Sequence, residues 1–153
     1  MLRLEPTDRK ELVSSIDIVP TILAATGARI PKDLPGLDLI EHLKTGKAID
    51  RKGIFGESFA HDVADIEKPE ASLLFRWRIE GKWKLLLTYD GEVNRYKSTH
   101  PRTEKRPQLF DLSKDPHEKT NLAGKHPEVV TDLAAKIKGW YPLKERKALT
   151  VYK

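Results

Sequence analysis

The sequence predicts an α+β fold in which a small antiparallel sheet of about four strands is packed by a C-terminal helix. Apolar and charged residues alternate on both sides of Gly81 over residues 72–90, as expected of a β-hairpin. A third short apolar run follows at 108–112, and apolar residues recur at helical spacing from 127 to about 141. We therefore expect the hairpin to pair with 108–112 beneath the helix.

Alternation within the hairpin separates two faces. One face carries charged side chains and the other carries large apolar ones, namely Arg76, Arg78 and Glu80 against Phe75, Trp77 and Ile79. This pattern is typical of a half-buried antiparallel pair. We interpret Trp77 and Trp83 as core or sheet-face aromatics, in preference to a platform for a ligand.

The stretch 107–128 is rich in acids, amides and histidine, and it raises the question of a metal or catalytic site. Asp115-Pro116 favours the start of a turn, and Asn121 favours bonds from its side chain to the local backbone. Leu122-Ala123 can pack into the core. We therefore interpret the stretch as a connector from strand to helix. The tail, through "ALTVY", could add an edge strand.

Two short helices are predicted near the N-terminus. "SSIDIVPTILAATG" (14–27) places Ser14 and Asp17 at the spacing of a capping box and Gly27 at a helix stop. Its apolar face is expected to comprise Ile18, Ile22 and Ala25. A second helix is expected over 37–46, ended by Gly46, with Leu39, Ile40 and Leu43 inward.

A strand through Ile54-Phe55 is expected to lead into a loop that carries Glu57, His61 and Asp62. Binding residues often follow strand ends in this way. The loop could equally be braced by its own side-chain bonds to the backbone. Ser58 with His61 is weak support for a nucleophile and base, because such partners usually lie far apart in sequence.

Composition limits the classes of function. The chain has 153 residues and a net charge of +5. It has no cysteine, so thiol chemistry and thiolate metal sites are excluded. The five histidines and the acids lack metal-ligand spacing, and no metal or cofactor site is expected in this chain. No apolar run suits a membrane span or signal peptide. The basic loop 97–106 could bind a partner, but it lacks the interleaved aromatics of a single-strand nucleic-acid binder.

Taken in order, "LVSSIDIVPTILAATGARIPKDLPGLDLIEHL", "GIFGES", "RWRIEGKWKLLL" and "QLFDLSKDPHEKTNLA" resemble the C-terminal part of the sulfatases, in the alkaline-phosphatase superfamily. The resemblance runs from about Glu5 to Tyr141. It implies that 1–70 is the end of a large α/β domain and that 71–153 is the small C-terminal subdomain. It also implies that the loop with Glu57, His61 and Asp62 faces the substrate cleft.

The family's catalytic residues do not map onto this chain. Sulfatases use a formylglycine, made from the Cys or Ser of an N-terminal motif, and a calcium ion, both expected only in a full-length homologue. We therefore expect a sulfatase portion that is inactive alone, with a sulfated glycan or sulfated small molecule as the enzyme's substrate and no nucleic acid or membrane partner. The resemblance suggests a periplasmic or secreted enzyme. Apolar surface is expected at Ile18, Ile22 and Phe55. The alternative is a free-standing interaction module using loop 97–106.

Overall fold

The computed structural model describes residues 10–61, 65–89 and 104–140. The chain divides between Ile54 and Phe55 into two compact units. The first unit holds α1 (Ile18–Thr26), preceded by a 3-10 turn at Ser15–Asp17, and α2 (Ile40–Thr45). Gly27 and Gly46 end these helices in the left-handed conformation, as the sequence predicted.

In the described residues, the second unit holds most of a four-stranded sheet, a 3-10 turn at Pro69–Ser72 and one α-helix. The strands are β1 (Gly53–Phe59), β2 (Leu73–Glu80), β3 (Trp83–Thr88) and β4 (Gln108–Asp111), in the order β1-β2-β3-β4, and the helix is α3 (Pro127–Trp140). Strands β2 and β3 are antiparallel, and so are β3 and β4. The predicted α+β class, the hairpin, its pairing with 108–112 and the C-terminal helix are confirmed.

The core of the second unit lies between the sheet and α3. Leu85 and Leu109 from the strands meet Leu133 and Ile137 from the helix, and all four are buried. The spacing of the two helical residues follows the apolar stripe of α3. This contact fixes the helix across β3 and β4.

In the described residues no helix has the length and hydropathy to span a membrane.

The prediction for residues 52–60 was wrong in one respect. We expected a strand end followed by a loop there. Gly56, Glu57 and Ser58 instead lie inside β1, an edge strand of the four-stranded sheet. The glycine at position 56 allows β1 to lie beside β2 here. The Trp77 ring of β2 lies directly over the Gly56 Cα, where any Cβ would overlap the indole. The predicted tail strand, "ALTVY", lies outside the described residues.

Replacing Gly56 with alanine is expected to lower the free energy of unfolding by about 1–3 kcal/mol, because the added methyl must displace Trp77. Urea titration at neutral pH would measure the loss. Gly139→Ala is a matched control in α3, where a Cβ meets open space and should stabilise the helix by about 1 kcal/mol. Trp77→Leu should recover part of the loss in the Gly56→Ala background; a strictly additive double variant would contradict the overlap.

The connector 112–126 is an ordered turn, as the sequence predicted. Asn121 accepts hydrogen bonds from the backbone N–H groups of Leu109 (3.1 Å) and Ala123 (2.9 Å) and donates to the Pro107 carbonyl (3.2 Å). Asp115 accepts from the Thr120 N–H at 2.8 Å. These acids and amides are therefore used to hold the backbone.

Glu118 in this turn has φ 55, a left-handed conformation that is costly for a residue with a side chain. Its carboxylate contacts Lys84 Nζ at 2.6 Å. Glu118→Gly removes the ion pair but relieves the backbone, whereas Glu118→Ala removes the pair and keeps the strain. We expect the glycine variant to be more stable than the alanine variant by about 1 kcal/mol. Thermal unfolding of the two would check the order, and an alanine variant at or above the glycine variant would contradict it.

Candidate functional site

The residues predicted to face the substrate cleft are Glu57, His61 and Asp62. Glu57 is in β1 and His61 follows its end, where it is exposed. Asp62 lies outside the described residues. The sequence placed these residues after a strand, and the structure brings Glu57 to the face of the sheet that carries the charged residues of β2.

Glu57 forms an ion pair with a buried arginine. Its Oε2 lies 3.4 Å from Arg76 Nε, and the two side chains are 20% and 2% exposed. A charge removed from water to this extent is stable only beside a counter-charge or equivalent polar contacts. The Arg76 guanidinium also lies 5.4 Å from the centre of the Trp140 ring. The end of β1 is therefore fixed to β2, next to the point where the chain leaves towards His61.

A second buried arginine repeats this arrangement two residues along β2. The Arg78 guanidinium lies 4.2 Å from the Phe55 ring centre, and its Nε donates to Glu80 at 2.7 Å. Phe55 in turn stacks on Trp140 with ring centres 4.7 Å apart. Phe55 is thus packed in the second unit, and the prediction that it lies on an exposed apolar surface was wrong.

Glu80 closes the charged layer on the helix side. It accepts from Arg78 and from Lys136 of α3, the latter at 2.8 Å. Burial works to raise the pKa of Glu80, but the hydrogen bonds from Lys136 and Arg78 outweigh it and hold the pKa below its usual range. The charged face of the hairpin therefore packs toward α3, with its charges neutralised in pairs.

This buried charged layer was not predicted, although the alternation in β2 was. Alternation reveals two faces but not which of them a helix will cover. Tryptophan at 140 and lysine at 136 lie one turn apart in α3, and both reach charged groups of β2. The presence of an aromatic and a cationic residue on one face of α3 was the sequence signal that could have indicated a charged surface beneath this helix.

The first unit is organised around another ion pair that sequence reasoning missed. Asp17, 1% exposed, accepts from Arg51 at 2.5 and 2.6 Å. The same carboxylate accepts from the backbone N–H groups of Ser14 (2.7 Å) and Leu37 (2.8 Å). The hydrogen bonds from Arg51 are the main reason that the pKa of Asp17 is lowered to about 2. Asp17 therefore joins three separate segments of the unit and is structural.

The remaining candidates supply no reaction centre among the described residues. Ser58 lies within β1, where alternating side chains point to opposite faces, so it and Glu57 face different ways. The part of the chain that the structure describes contains no group of three His, Cys, Asp or Glu side chains able to hold a metal ion. The described residues thus do not fit a calcium site, and the sequence has neither a cysteine nor an S-x-P-S-R motif to supply the formylglycine.

Relatives of known function match most of the chain, although no family model matches it. An N-acetylgalactosamine-6-O-sulfatase from Bacteroides thetaiotaomicron is 29% identical over 133 residues, covering 86% of this chain and 24% of that protein. Human arylsulfatase A is 33% identical over 144 residues, covering 85% and 27%. A multifunctional alkaline phosphatase superfamily protein from Trinickia caryophylli is 30% identical over 141 residues, covering 91% and 26%.

Solved structures agree with this similarity. A protein solved in complex with its substrate, D-glucosamine-2-N,6-O-disulfate, superimposes with a TM-score of 0.59 at 17% identity, covering 86% of this chain and 25% of that one. At this identity the likeness concerns the fold alone. The chain spans about a quarter of the length of the curated relatives it matches. The chain matches the C-terminal part of sulfatases of the alkaline-phosphatase superfamily.

Proposed function

We propose that this chain acts as the C-terminal portion of a sulfuric ester hydrolase, where it shapes one side of the substrate cleft. The observation that carries the proposal is the sulfatase similarity, which extends over 86% of the chain in the Bacteroides relative. The catalytic group and the metal ion would come from the rest of the enzyme. The chain itself would contribute position and selectivity rather than a reacting group.

The rim of the cleft is assigned to Glu57, His61 and Asp62. His61 is exposed where β1 ends, and an imidazole can donate to a sugar hydroxyl or, when charged, to a sulfate oxygen. Glu57, anchored to Arg76, would hold the strand that presents it. The natural substrate would be a sulfated glycan or a sulfated small molecule, since the Bacteroides relative is a sulfatase of a sulfated amino sugar by its name.

A second substrate class has some support. A phosphonate monoester hydrolase from Agrobacterium radiobacter is 25% identical to this chain and superimposes with a TM-score of 0.56, covering 80% of this chain and 23% of that one, which makes phosphonate esters a second substrate class to test. The comparisons do not support the interaction module based on loop 97–106. Only residues 104–106 of that loop are described, and there Arg106 donates to Glu104 at 2.8 Å, so its charge is partly neutralised.

The purified chain is expected to hydrolyse neither an aryl sulfate nor an aryl phosphonate, because the nucleophile and metal supply most of the rate in such chemistry. A chimera in which the chain replaces the matching segment of the Bacteroides sulfatase should hydrolyse the sulfate. Turnover by the chain alone that persists through repurification would refute the proposal, and so would a folded chimera that cleaves only the phosphonate.

His61→Ala in that chimera is expected to lower kcat/KM on the sulfated amino sugar by about five- to 150-fold, the equivalent of one lost bond of about 1–3 kcal/mol. A small aryl sulfate that does not reach the rim should be cleaved as before. His117 is another exposed histidine, in the connector, and His117→Ala is the matched control. It should leave kcat/KM on both substrates unchanged. Equal losses on both substrates with a lower melting temperature would mean that His61 only supports the fold.

A further inference from the structure

We propose that the apolar face of α1 and of the turn before it is a docking surface for the part of a sulfatase that this chain does not match. The docking face is defined by Val13, Ile16, Ile18, Val19 and Ile22. The inference rests on the proposed function, because it takes the chain to be a sulfatase portion. It goes further in naming the residues that hold the two portions together.

Exposure is concentrated on this face. Among the described residues, seven large apolar side chains are exposed, and five of the seven form the docking face, each between 49% and 58% exposed. Scattered exposed apolar residues are ordinary, whereas a contiguous group marks an interaction site. The expectation of apolar surface at Ile18 and Ile22 is thereby confirmed.

The helix lacks the polar side that a solvent-facing helix needs. No residue of Ile18–Thr26 is charged, and the adjacent carboxylate of Asp17 is turned inward to Arg51. A helix exposed at the surface of a globular protein normally sets charged residues opposite its apolar stripe. A helix that is apolar on its outer side as well is typical of one that lies between two layers.

The docking face is held in a fixed shape. Asp17 joins the start of α1 to Leu37 and Arg51, and the Thr21 hydroxyl accepts from the Leu39 N–H at 3.1 Å. Val13, Ile18 and Ile22 line a shallow, almost wholly apolar hollow of about 440 Å³. Its occupant must therefore be an apolar protein side chain, because neither a sulfated sugar nor a polyanion would find a counter-charge there.

The relatives provide an occupant of this chemistry. They carry about three quarters of their length outside the segment that this chain matches. A folded enzyme of that size must cover both faces of an internal helix. A second copy of this chain could also cover the face, and the experiment separates the two.

The test uses the paired substitution Ile18→Gln and Ile22→Gln, because glutamine is polar but is at least as good a helix former as isoleucine. Ile66→Gln, at an exposed isoleucine outside the docking face, is the control. In the chain alone, the pair should leave the melting temperature unchanged and reduce the fluorescence of a dye that binds apolar surface. In the chimera with the Bacteroides sulfatase, the pair should lower the melting temperature by about 5 °C or more, and the control should not.

Three outcomes would overturn the proposal. The first is a chimera whose melting temperature is insensitive to the pair, or that fails to fold while the intact Bacteroides enzyme folds. The second is an isolated chain that sediments as a dimer and becomes a monomer with the pair, which would make a second copy the occupant. The third is an equal response to Ile66→Gln. Melting is measured without turnover, so a chimera that docks but lacks sulfatase activity would refute the proposed function alone.

Discussion

Replacing Asp17 with alanine is expected to lower the free energy of unfolding by about 3–5 kcal/mol, the cost of removing one partner from a buried ion pair. The Arg51 guanidinium, 11% exposed, would keep its charge with no carboxylate beside it. The backbone N–H groups of Ser14 and Leu37 would lose their acceptor as well. Urea unfolding followed by circular dichroism would measure the loss.

The double variant Asp17→Ala and Arg51→Met distinguishes the loss of the ion pair from the loss of the hydrogen bonds that Asp17 accepts from the backbone. Methionine fills the space of the arginine stem without a charge, so the double variant should be more stable than Asp17→Ala alone. It should remain less stable than the wild type, because the two backbone donors still lack an acceptor. A double variant less stable than both single variants would contradict this division of roles.

The same carboxylate sets a dependence on pH. Its pKa is about 2 in the folded chain, against an ordinary value of 3.8, so its contribution to the free energy of unfolding is fully present above about pH 4 and is lost as pH falls towards 2. The loss should approach about 2 kcal/mol. Comparing urea midpoints of the wild type and Asp17→Asn at pH 7, 4 and 2.5 isolates this one group. A difference that stays constant over this range would mean that Asp17 does not titrate with folding.

Local patterns predicted the parts of the fold that depend on neighbours in sequence. Gly27 and Gly46 end helices because only glycine enters the left-handed region without cost, and Gly81 turns the hairpin with φ 56 for the same reason. Asn121 bonds to nearby backbone, which its residue type also predicts. Each of these features is decided within a few residues, so the sequence is sufficient.

Contacts between distant residues could not be predicted in this way. Asp17 and Arg51 lie 34 positions apart, and the spacing of Ser14 and Asp17 predicted only the bond from the Ser14 N–H. The strand position of Glu57 depends on Gly56 meeting Trp77, which lies on another strand. For the candidate site, the sequence indicated where His61 would follow a strand, whereas the ion pair that anchors Glu57 required the fold.

Gly36 in the "LPG" motif is expected to tolerate no side chain, and Gly36→Ala should lower the free energy of unfolding by about 3 kcal/mol. Its φ is 98, outside the region that residues with a Cβ enter readily, which accounts for about 1–2 kcal/mol of the loss. A Cβ there would also overlap the backbone carbonyl of Ile16. A backbone group cannot turn away as a side chain can, so the loop itself must move, at a further cost of about 1–3 kcal/mol.

Gly27 is the matched control for Gly36. It also has a positive φ, 73, but a Cβ built on it meets nothing within 4 Å. Gly27→Ala should therefore cost only the conformational part, about 1 kcal/mol. The difference between the two alanine variants in urea midpoint measures the crowding at Ile16, and equal losses would show that the crowding is relieved without cost. Because the Leu37 N–H that follows Gly36 donates to Asp17, moving this loop should also weaken that bond. Gly36→Ala and Asp17→Ala should then cost less together than the sum of their separate losses.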